Sequence, residues 1–80
     1  MDCEWDERKR RANIQKHGFD FVRVTKLFNG PHLSAAARTS IEEERWLAIG
    51  MIDGLLATVI FTQRQGGRRI ISVRRARHDE

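Results

Sequence analysis

Arginine is the residue type in this chain whose abundance and spacing point most directly to chemistry. Twelve of the fifteen basic residues are arginines, and six of them lie between Arg64 and Arg77, a stretch without an acidic residue. The planar guanidinium group can bind phosphate or carboxylate through two parallel hydrogen bonds, which a lysine ammonium group cannot do. The pattern predicts a surface that binds RNA, DNA or an acidic protein, or else a basic surface that only keeps the chain dissolved.

A few side chains could transfer a proton. Histidine changes charge near neutral pH, so His17 is a candidate acid or base, although a histidine at a helix end commonly interacts with the helix dipole instead. Glu44 is a candidate base, and its alternative role is an ion pair with Arg45. Lys16 could serve as an acid or lie on a solvated helix surface, and we expect His32 to be solvated in a loop.

The residues available exclude other kinds of site. Cys3 is the single cysteine, so neither an intrachain disulfide nor a multi-cysteine zinc site can form. Acidic neighbours also make Cys3 a poor nucleophile. No Walker, dinucleotide-binding or metal-ligand motif is present, and we expect neither a metal nor another cofactor.

Length and hydropathy indicate one small domain over residues 1–80. Apolar residues make up 40% of the chain, which is ordinary for a globular fold and argues against disorder. No apolar stretch reaches the roughly eighteen residues of a membrane span, and the N-terminal residues are acidic, unlike those of a signal peptide. We therefore expect a cytoplasmic protein.

Two helices are predicted in the first third of the chain. Asp6 can cap the first helix, which runs from Glu7 toward Gly18, a residue type that commonly ends helices. Asp20 can cap the second helix, in which four apolar residues recur at helical spacing and form one face. These residues are Phe21, Val24, Leu27 and Phe28. We expect Asn13, on the first helix, to help anchor the chain.

Strands are predicted in the remainder of the chain. The predicted strands cover residues 45–52, 55–64 and 68–74. Asp53-Gly54 suits a two-residue type I′ turn between the first two, and residues 65–67 suggest a three-residue turn before the third. Cys3–Trp5 is either an edge strand or a simple lead-in, and residues 35–39 form either a loop or a strand.

These turns determine which side chains share a face of the sheet. The two-residue turn pairs Trp46 with Phe61, and the three-residue turn pairs Arg64 with Arg68. One face is then apolar and forms the core: Trp46, Ala48, Leu55, Val59, Phe61, Ile71 and Val73. The expected fold is α+β, with two N-terminal helices packed on one face of a small antiparallel sheet.

The opposite face combines basic and apolar residues. Its predicted arginines are Arg45, Arg64, Arg68 and Arg74, and its apolar residues include Leu47, Ile49, Leu56 and Ile60. A two-residue second turn would instead place Arg69 and Arg75 on this face. Phosphate suits the arginines, and a protein partner suits the exposed apolar strip.

The order and spacing of several short segments resemble the BrnT family of toxins. The segments are Glu4-Trp5-Asp6, Lys16-His17-Gly18 followed by Phe21, Glu44-Arg45-Trp46-Leu47 with Gly50, Val59-Ile60-Phe61-Thr62 ahead of Arg64, and Arg69-Ile70-Ile71-Ser72 ahead of Arg74-Arg75-Ala76. The resemblance covers nearly the whole chain. It implies a fold similar to that of RelE toxins, and a ribonuclease neutralised by a BrnA-type antitoxin, a ribbon-helix-helix DNA-binding protein. Family members often carry a tyrosine in a charged tail, whereas this chain has no tyrosine.

The resemblance also implies that the protein cleaves RNA without a metal ion and so inhibits translation. The RNA that it cleaves could be bound to the ribosome. Such cleavage needs a base for the ribose 2′-OH, cationic donors for the charged phosphorane, and an acid for the leaving oxygen. The expected catalytic residues are Arg64, Arg45, Arg74, His17 and Glu44. Further RNA contacts are expected from Arg68, Arg69, Arg75 and Lys16. Antitoxin contacts are expected from Leu47, Ile49, Leu56 and Ile60.

Two other interpretations stay open at this point. One is a non-catalytic nucleic-acid-binding protein, and the other is an interaction module whose basic sheet face binds an acidic protein. Cleavage of RNA in the presence of EDTA would distinguish the enzyme from the non-catalytic nucleic-acid-binding protein. The protein-interaction module predicts no salt-sensitive RNA binding.

Overall fold

The computed structural model describes residues 2–37 and 44–77, apart from the side chain of Asp2. They form an α+β fold with two helices and a five-stranded mixed sheet. In chain order the elements are β1 (Asp2–Trp5), α1 (Glu7–His17), a 3₁₀ turn (Phe21–Arg23), α2 (Val24–Asn29), β2 (His32–Ala36), β3 (Trp46–Ile52), β4 (Leu55–Arg64) and β5 (Gly67–Arg75). No helix in the described residues is long and apolar enough to cross a membrane.

The sheet has the strand order β1-β5-β4-β3-β2, and its first pair is parallel. The expectation of a purely antiparallel sheet is therefore wrong, because β1 runs parallel to β5 with Glu4 opposite Arg69. The other three pairs are antiparallel. Parallel neighbours need a long crossover connection, and here most of the chain lies between the two strands. Such a pairing leaves no local turn signal in the sequence.

The strand β2 lies earlier than the alternative predicted for residues 35–39. It covers His32–Ala36 and pairs with β3, with Ala36 opposite Trp46. Residues 38 and 39 are outside the described part of the chain. All five residues of β2 are exposed.

Both ends of α1 follow the signals in the sequence. The Asp6 carboxylate accepts hydrogen bonds from the backbone N–H groups of Arg8 and Lys9, at 2.8 and 3.3 Å. Gly18 ends the helix with a φ of 78°, a left-handed conformation that favours glycine. The buried residue of α1 is Asn13, so this helix contributes little apolar surface to the core.

Asn13 fastens α1 to the edge of β5. Its Nδ2 donates to the carbonyl oxygens of Val73 and Phe19, both at 2.9 Å, and its Oδ1 accepts from the Val73 N–H at 3.1 Å. The register of β1 with β5 ends at Ile70. The carboxamide therefore supplies at Val73 the hydrogen bonds that a further strand residue would make, and the predicted anchoring role is confirmed.

The 3₁₀ turn and α2 supply much of the core. The predicted apolar face is buried as expected. Phe21, Val24 and Leu27 are fully buried, and Phe28 is half-buried. They pack with the sheet residues Ala48, Ile52, Ala57, Val59, Phe61, Ile70 and Val73. Leu55 is 41% exposed, so its predicted place in the core is wrong. It directly follows the β3–β4 turn, at the end of the sheet.

β3 and β4 pair in the predicted register. Trp46 lies opposite Phe61, and the turn residues Asp53 and Gly54 have φ values of 50° and 84°. Both values are left-handed, as a type I′ turn requires. The hairpin could be predicted because its turn chemistry is local.

The predicted three-residue turn between β4 and β5 is wrong. The turn has two residues, so Arg64 lies opposite Gly67, and Gly66 takes a φ of 72°. Two successive glycines suit either turn length, so the sequence does not distinguish them. A shift of one residue turns every side chain to the other face. Arg68 is consequently on the core face, and Arg69 is on the opposite one.

A β-bulge restores the predicted register further along β5. The register shifts between Phe61 and Ile60, which leaves Ile71 as an extra residue on β5. Ile70 therefore occupies the core position predicted for Ile71, and it is 1% exposed. Beyond the bulge, Arg74 lies on the predicted face.

Candidate functional site

The sheet face opposite the core carries arginines and apolar residues, and we call it the arginine face. The strand register assigns to it Arg45, Leu47, Ile49, Met51, Leu56, Thr58, Ile60, Thr62, Arg64, Arg69, Ser72 and Arg74. The arginines predicted to be catalytic therefore share one face of the sheet.

Three residues form a row across the arginine face near the β4–β5 turn. Trp46 pairs with Phe61 as the last pair of β3 with β4, and continuing that register by one residue places the preceding Arg45 opposite Thr62. On its other side Thr62 pairs with Arg69. Neighbouring strands are about 5 Å apart, so a ligand above Thr62 would be within reach of both long arginine side chains.

Two polar atoms in this row are buried without a hydrogen-bond partner in the described part of the chain. They are Nε of Arg45 and Oγ1 of Thr62. Leaving such a group unpaired costs about 1–3 kcal/mol, and native proteins seldom do so unless water, an ion or a ligand completes the bond. An anion can accept hydrogen bonds from both groups once a movement of the Arg45 side chain opens them to solvent, so the row is a candidate anion site.

Arg64 lies close to the row, at the end of β4. It is two residues beyond Thr62 and is exposed. With Glu4 and the residues of the β4–β5 turn it lines a pocket of about 230 Å³. Arg69 approaches the same carboxylate, with its Nη1 3.9 Å from Oε1 of Glu4. The end of the sheet therefore brings three arginine side chains toward one region.

Arg74 lies further away on the same face. It pairs with Thr58, four residues before Thr62, which corresponds to about 13 Å along the strand. Its Nη1 donates to the carbonyl oxygen of Arg75 at 3.1 Å. Direct action of Arg74 on a phosphate held by Arg45 requires its side chain to reorient toward the β4–β5 turn.

His17 and Lys16 reach the sheet at the end of α1. With Lys9 and Ser72 they line a pocket of about 260 Å³ between α1 and β5, which Ala12, Asn13 and Ile71 complete. His17 is half-buried, whereas Lys16 is exposed. Ser72 precedes Arg74 by two residues, so the imidazole lies beside the strand that carries that arginine.

Glu44 is exposed and directly precedes Arg45. The alternative expectation of an ion pair between them is wrong, since none joins these two described residues. Glu44 thus stays a candidate base next to the row. The sequence analysis did not include Thr62 among the candidate site residues. Its predicted place opposite Arg45, on a face rich in arginine, was the signal that could have identified it.

Arg68 and Arg75 lie away from the arginine face. Arg68 pairs with Gln63, and its guanidinium carbon is 3.9 Å from the centre of the Phe28 ring. Arg75 pairs with the buried Ala57 and is itself exposed. The expected place of Arg68 among the arginines of the opposite face is therefore wrong, because the second turn is shorter than predicted.

Acidic side chains neutralise several basic residues of the helices. Arg10 donates to Glu7 and to Asp20, at 2.6 and 2.9 Å, and its hydrogen bond lowers the pKa of Glu7 to about 2. Asp53 of the β3–β4 turn accepts from Arg23 and Lys26, and these contacts hold its pKa well below the usual range. Those two contacts measure 2.9 and 2.7 Å. The pairing helps to concentrate positive potential on the sheet.

The four apolar residues predicted to contact an antitoxin all lie on the arginine face: Leu47, Ile49, Leu56 and Ile60. Leu56 and its neighbour Met51 are 51% and 49% exposed, and Leu33 of β2 is 75% exposed. A groove of about 420 Å³ follows this edge, lined by Pro31, His32, Leu33, Ile49, Gly50, Met51 and Leu56. An exposed apolar groove of this kind suits a protein partner.

Comparison with known proteins gives the family. A family model described as the ribonuclease toxin BrnT of type II toxin–antitoxin systems matches residues 5–80, which include α1, the whole arginine face and the apolar groove. A search of curated proteins found no match. The family implies an antitoxin as protein partner. This chain belongs to the BrnT family of ribonuclease toxins from type II toxin–antitoxin systems.

Proposed function

We propose that this toxin cleaves RNA internally and without a metal ion, on the arginine face, and thereby inhibits translation. The observation that supports this site best is the pair of buried, unpartnered polar atoms on Arg45 and Thr62. A phosphodiester oxygen would accept a hydrogen bond from each. The row lies at the end of the sheet with Arg64 and Arg69 nearby, so a phosphate bound there would also face two further guanidinium groups.

Cleavage of RNA at such a site proceeds by attack of the ribose 2′ oxygen on the adjacent phosphorus. A base takes the 2′-OH proton, the bond from phosphorus to the 5′ oxygen breaks, and an acid protonates that leaving oxygen. The products are a 2′,3′-cyclic phosphate and a 5′-OH. Donors aimed at the developing negative charge supply the main stabilisation of the transition state.

The roles follow from where each group lies. Arg45, Arg64 and Arg69 bind the phosphate, and Arg74 contacts RNA further along the face. His17 and Glu44 are the proposed acid–base pair. They lie on opposite sides of β4, beside β5 and before β3, so the bound RNA must place one phosphodiester within reach of both. Lys16 extends the RNA contact into the pocket beside α1.

The proposed reaction assigns charge stabilisation to arginine and not to a metal ion. No three His, Cys, Asp or Glu side chains lie together as potential metal ligands in residues 2–37 and 44–77. Guanidinium groups can provide the charge stabilisation that a metal ion supplies in other nucleases. Arginine therefore takes that role in the proposed reaction.

The antitoxin is proposed to be a BrnA-type ribbon-helix-helix protein that covers Leu47, Ile49, Leu56 and Ile60. These residues share a face with the arginine row, so a partner seated on them also blocks RNA. An acidic segment of the partner would complement the nearby arginines. Ribosome-bound RNA is the proposed substrate in the cell, where the ribosome would help to orient the strand.

Cleavage of a synthetic RNA in EDTA tests the proposal. The purified toxin should cut it and leave 2′,3′-cyclic phosphate ends, identified by mass spectrometry. An RNA of the same sequence with a 2′-deoxy residue at the cut position should stay intact there. Cleavage that needs a divalent ion, or that continues at the 2′-deoxy position, would contradict the proposed chemistry.

A further inference from the structure

Arg68 lies over an aromatic ring on the core face of the sheet. Its guanidinium carbon lies 3.9 Å from the centre of the Phe28 ring and 5.8 Å from that of Phe61. Phe28 meets Phe61 edge to face with ring centres 5.3 Å apart. The positive charge of Arg68 therefore lies on the ring of Phe28, which itself packs against the core residue Phe61.

The ring of Phe28 has a second aromatic neighbour. Phe28 also meets the ring of His32 edge to face, at 5.4 Å. His32 donates from Nδ1 to the carbonyl oxygen of Gly30 at 2.9 Å, since a carbonyl can only accept. Phe28 is therefore packed between two aromatic rings and the Arg68 guanidinium group.

Arg68 has no acceptor among the described residues. Within residues 2–37 and 44–77 its guanidinium makes neither a hydrogen bond nor an ion pair, and its Nε is buried. Arg10 and Arg23, by contrast, each donate to carboxylates. Stacking on an aromatic ring stabilises the charge but leaves the N–H groups without acceptors. A half-buried cation that lies on an aromatic ring and keeps an unpaired donor is suited to an anionic ligand.

We propose that Arg68 binds a phosphate of the substrate RNA outside the cleavage site, on the core side of the sheet. The inference rests on the ribonuclease function proposed above. Arg68 and Arg69 are consecutive on β5 and point to opposite faces, so RNA that contacts both must pass around the β4–β5 turn. The turn residues Gln65 and Gly66 are uncharged, and the carboxylate of Glu4, which lines the pocket at this turn, faces Nη1 of Arg69 at 3.9 Å.

Binding of an uncleavable RNA tests this subsite separately from catalysis. A fluorescein-labelled 2′-O-methyl RNA has no free nucleophile, and its affinity can be measured between 50 and 200 mM salt by fluorescence anisotropy. Arg68→Ala should weaken binding about tenfold and lower the salt slope by about 0.7, the value for one lost phosphate contact on a single strand. Arg8→Ala, at an exposed position of α1, is the matched control and should match the parent.

Two further variants separate ligand binding from stability. Arg68→Met keeps a long apolar stem over Phe28, so it should fold even where Arg68→Ala does not, and it should lose the same affinity. Arg68→Lys keeps the charge, so the salt slope should persist while affinity falls severalfold, because an ammonium group cannot stack flat or bind in two-pronged fashion. Circular dichroism establishes the fold of each variant.

The outcomes distinguish this proposal from the proposed function. If Arg68→Met binds RNA with the affinity and salt slope of the parent, the subsite is wrong, while cleavage by the parent leaves the ribonuclease proposal intact. If Arg68→Met binds weakly but cleaves bound RNA at the parental rate, the subsite is supported as a binding contact outside the reaction centre. A parent protein that neither binds nor cleaves RNA would overturn both.

Discussion

The carboxamide of Asn13 takes the place of a β-strand beside Val73. It donates to the Val73 carbonyl oxygen and accepts from the N–H group of the same residue, at 2.9 and 3.1 Å. Through this contact α1 lies against β5 beyond the end of β1, and the pocket lined by His17 and Ser72 forms beside it. One buried amide thus joins the helix that carries His17 to the strand that carries Arg74.

Replacing Asn13 with alanine should lower the free energy of unfolding by about 3 kcal/mol. The change removes three hydrogen bonds and leaves backbone groups of Val73 and Phe19 without partners. Such a loss is a large fraction of the stability of a chain this short. Urea denaturation followed by circular dichroism measures it. Gln15→Ala, at an exposed position of the same helix, should change stability by less than about 0.5 kcal/mol, and an equal effect of both changes would contradict the anchoring role.

Acid should weaken the contact between α2 and the β3–β4 hairpin. Arg23 and Lys26 hold the pKa of Asp53 below its usual range, so the carboxylate stabilises the folded state above its unfolded pKa of about 4. That contribution is lost as the pH falls toward the lower folded pKa. The Tm of the parent should therefore exceed that of Asp53→Asn at pH 7, and the difference should shrink steadily as the pH falls from 4 to 2.

Asparagine is the matched replacement because it also tolerates the positive φ of this turn. High salt should reduce the difference at pH 7, since the groups are exposed and screened. A difference in Tm that stays constant between pH 7 and pH 2 would show that the ion pair contributes nothing.

Neutralisation by the antitoxin should depend on the apolar strip. Leu56→Glu places a charge in that strip, so the cognate antitoxin should no longer restore growth to cells that express the variant. Val22→Glu is the control, because Val22 has nearly the same exposure, 49% against 51%, but lies on the 3₁₀ turn. Both variants should retain toxicity. Rescue of Leu56→Glu but not of Val22→Glu would place the antitoxin on the helices instead.

Thr62→Val should make the toxin more stable and less active. Valine keeps the shape of the side chain and removes a buried hydroxyl that has no partner among the described residues, so the free energy of unfolding should rise by about 1 kcal/mol. If the hydroxyl binds the substrate phosphate, cleavage should slow by about tenfold. Thermal melts and single-turnover cleavage rates measure the two effects, and an increase in stability with unchanged cleavage would leave Thr62 without a role in binding.

The parts of the fold that local chemistry determines could be predicted from the sequence. Asp6 and Gly18 mark the ends of α1 because their side-chain and backbone preferences act within one turn. Asp53-Gly54 determines the first hairpin for the same reason. The apolar spacing of the second helical segment identifies its buried face. In each case the determining contacts lie within a few residues of one another.

The remaining features depend on contacts that the sequence does not encode locally. The parallel pairing of β1 joins the two ends of the chain, and the bulge at Ile71 corrects the register that a two-residue turn creates. Two of these non-local features decide the site. The two-residue turn places Arg69 rather than Arg68 beside Thr62, and the short β1, whose pairing ends at Ile70, leaves the edge of β5 free for α1.

The cleavage rate of Arg45→Ala tests the central claim most directly. Single-turnover cleavage of a synthetic RNA in EDTA should slow by about 100- to 1,000-fold, as expected when a donor to the transition-state oxyanion is lost. Arg45→Lys should recover part of the rate, and combining Arg45→Ala with Arg64→Ala should cost less than the product of the separate effects, because both act on one phosphate. Arg8→Ala is the control, since Arg10 is tied to Glu7 and Asp20. Cleavage by a folded Arg45→Ala variant at the parental rate would contradict the assignment of the reaction to the arginine face.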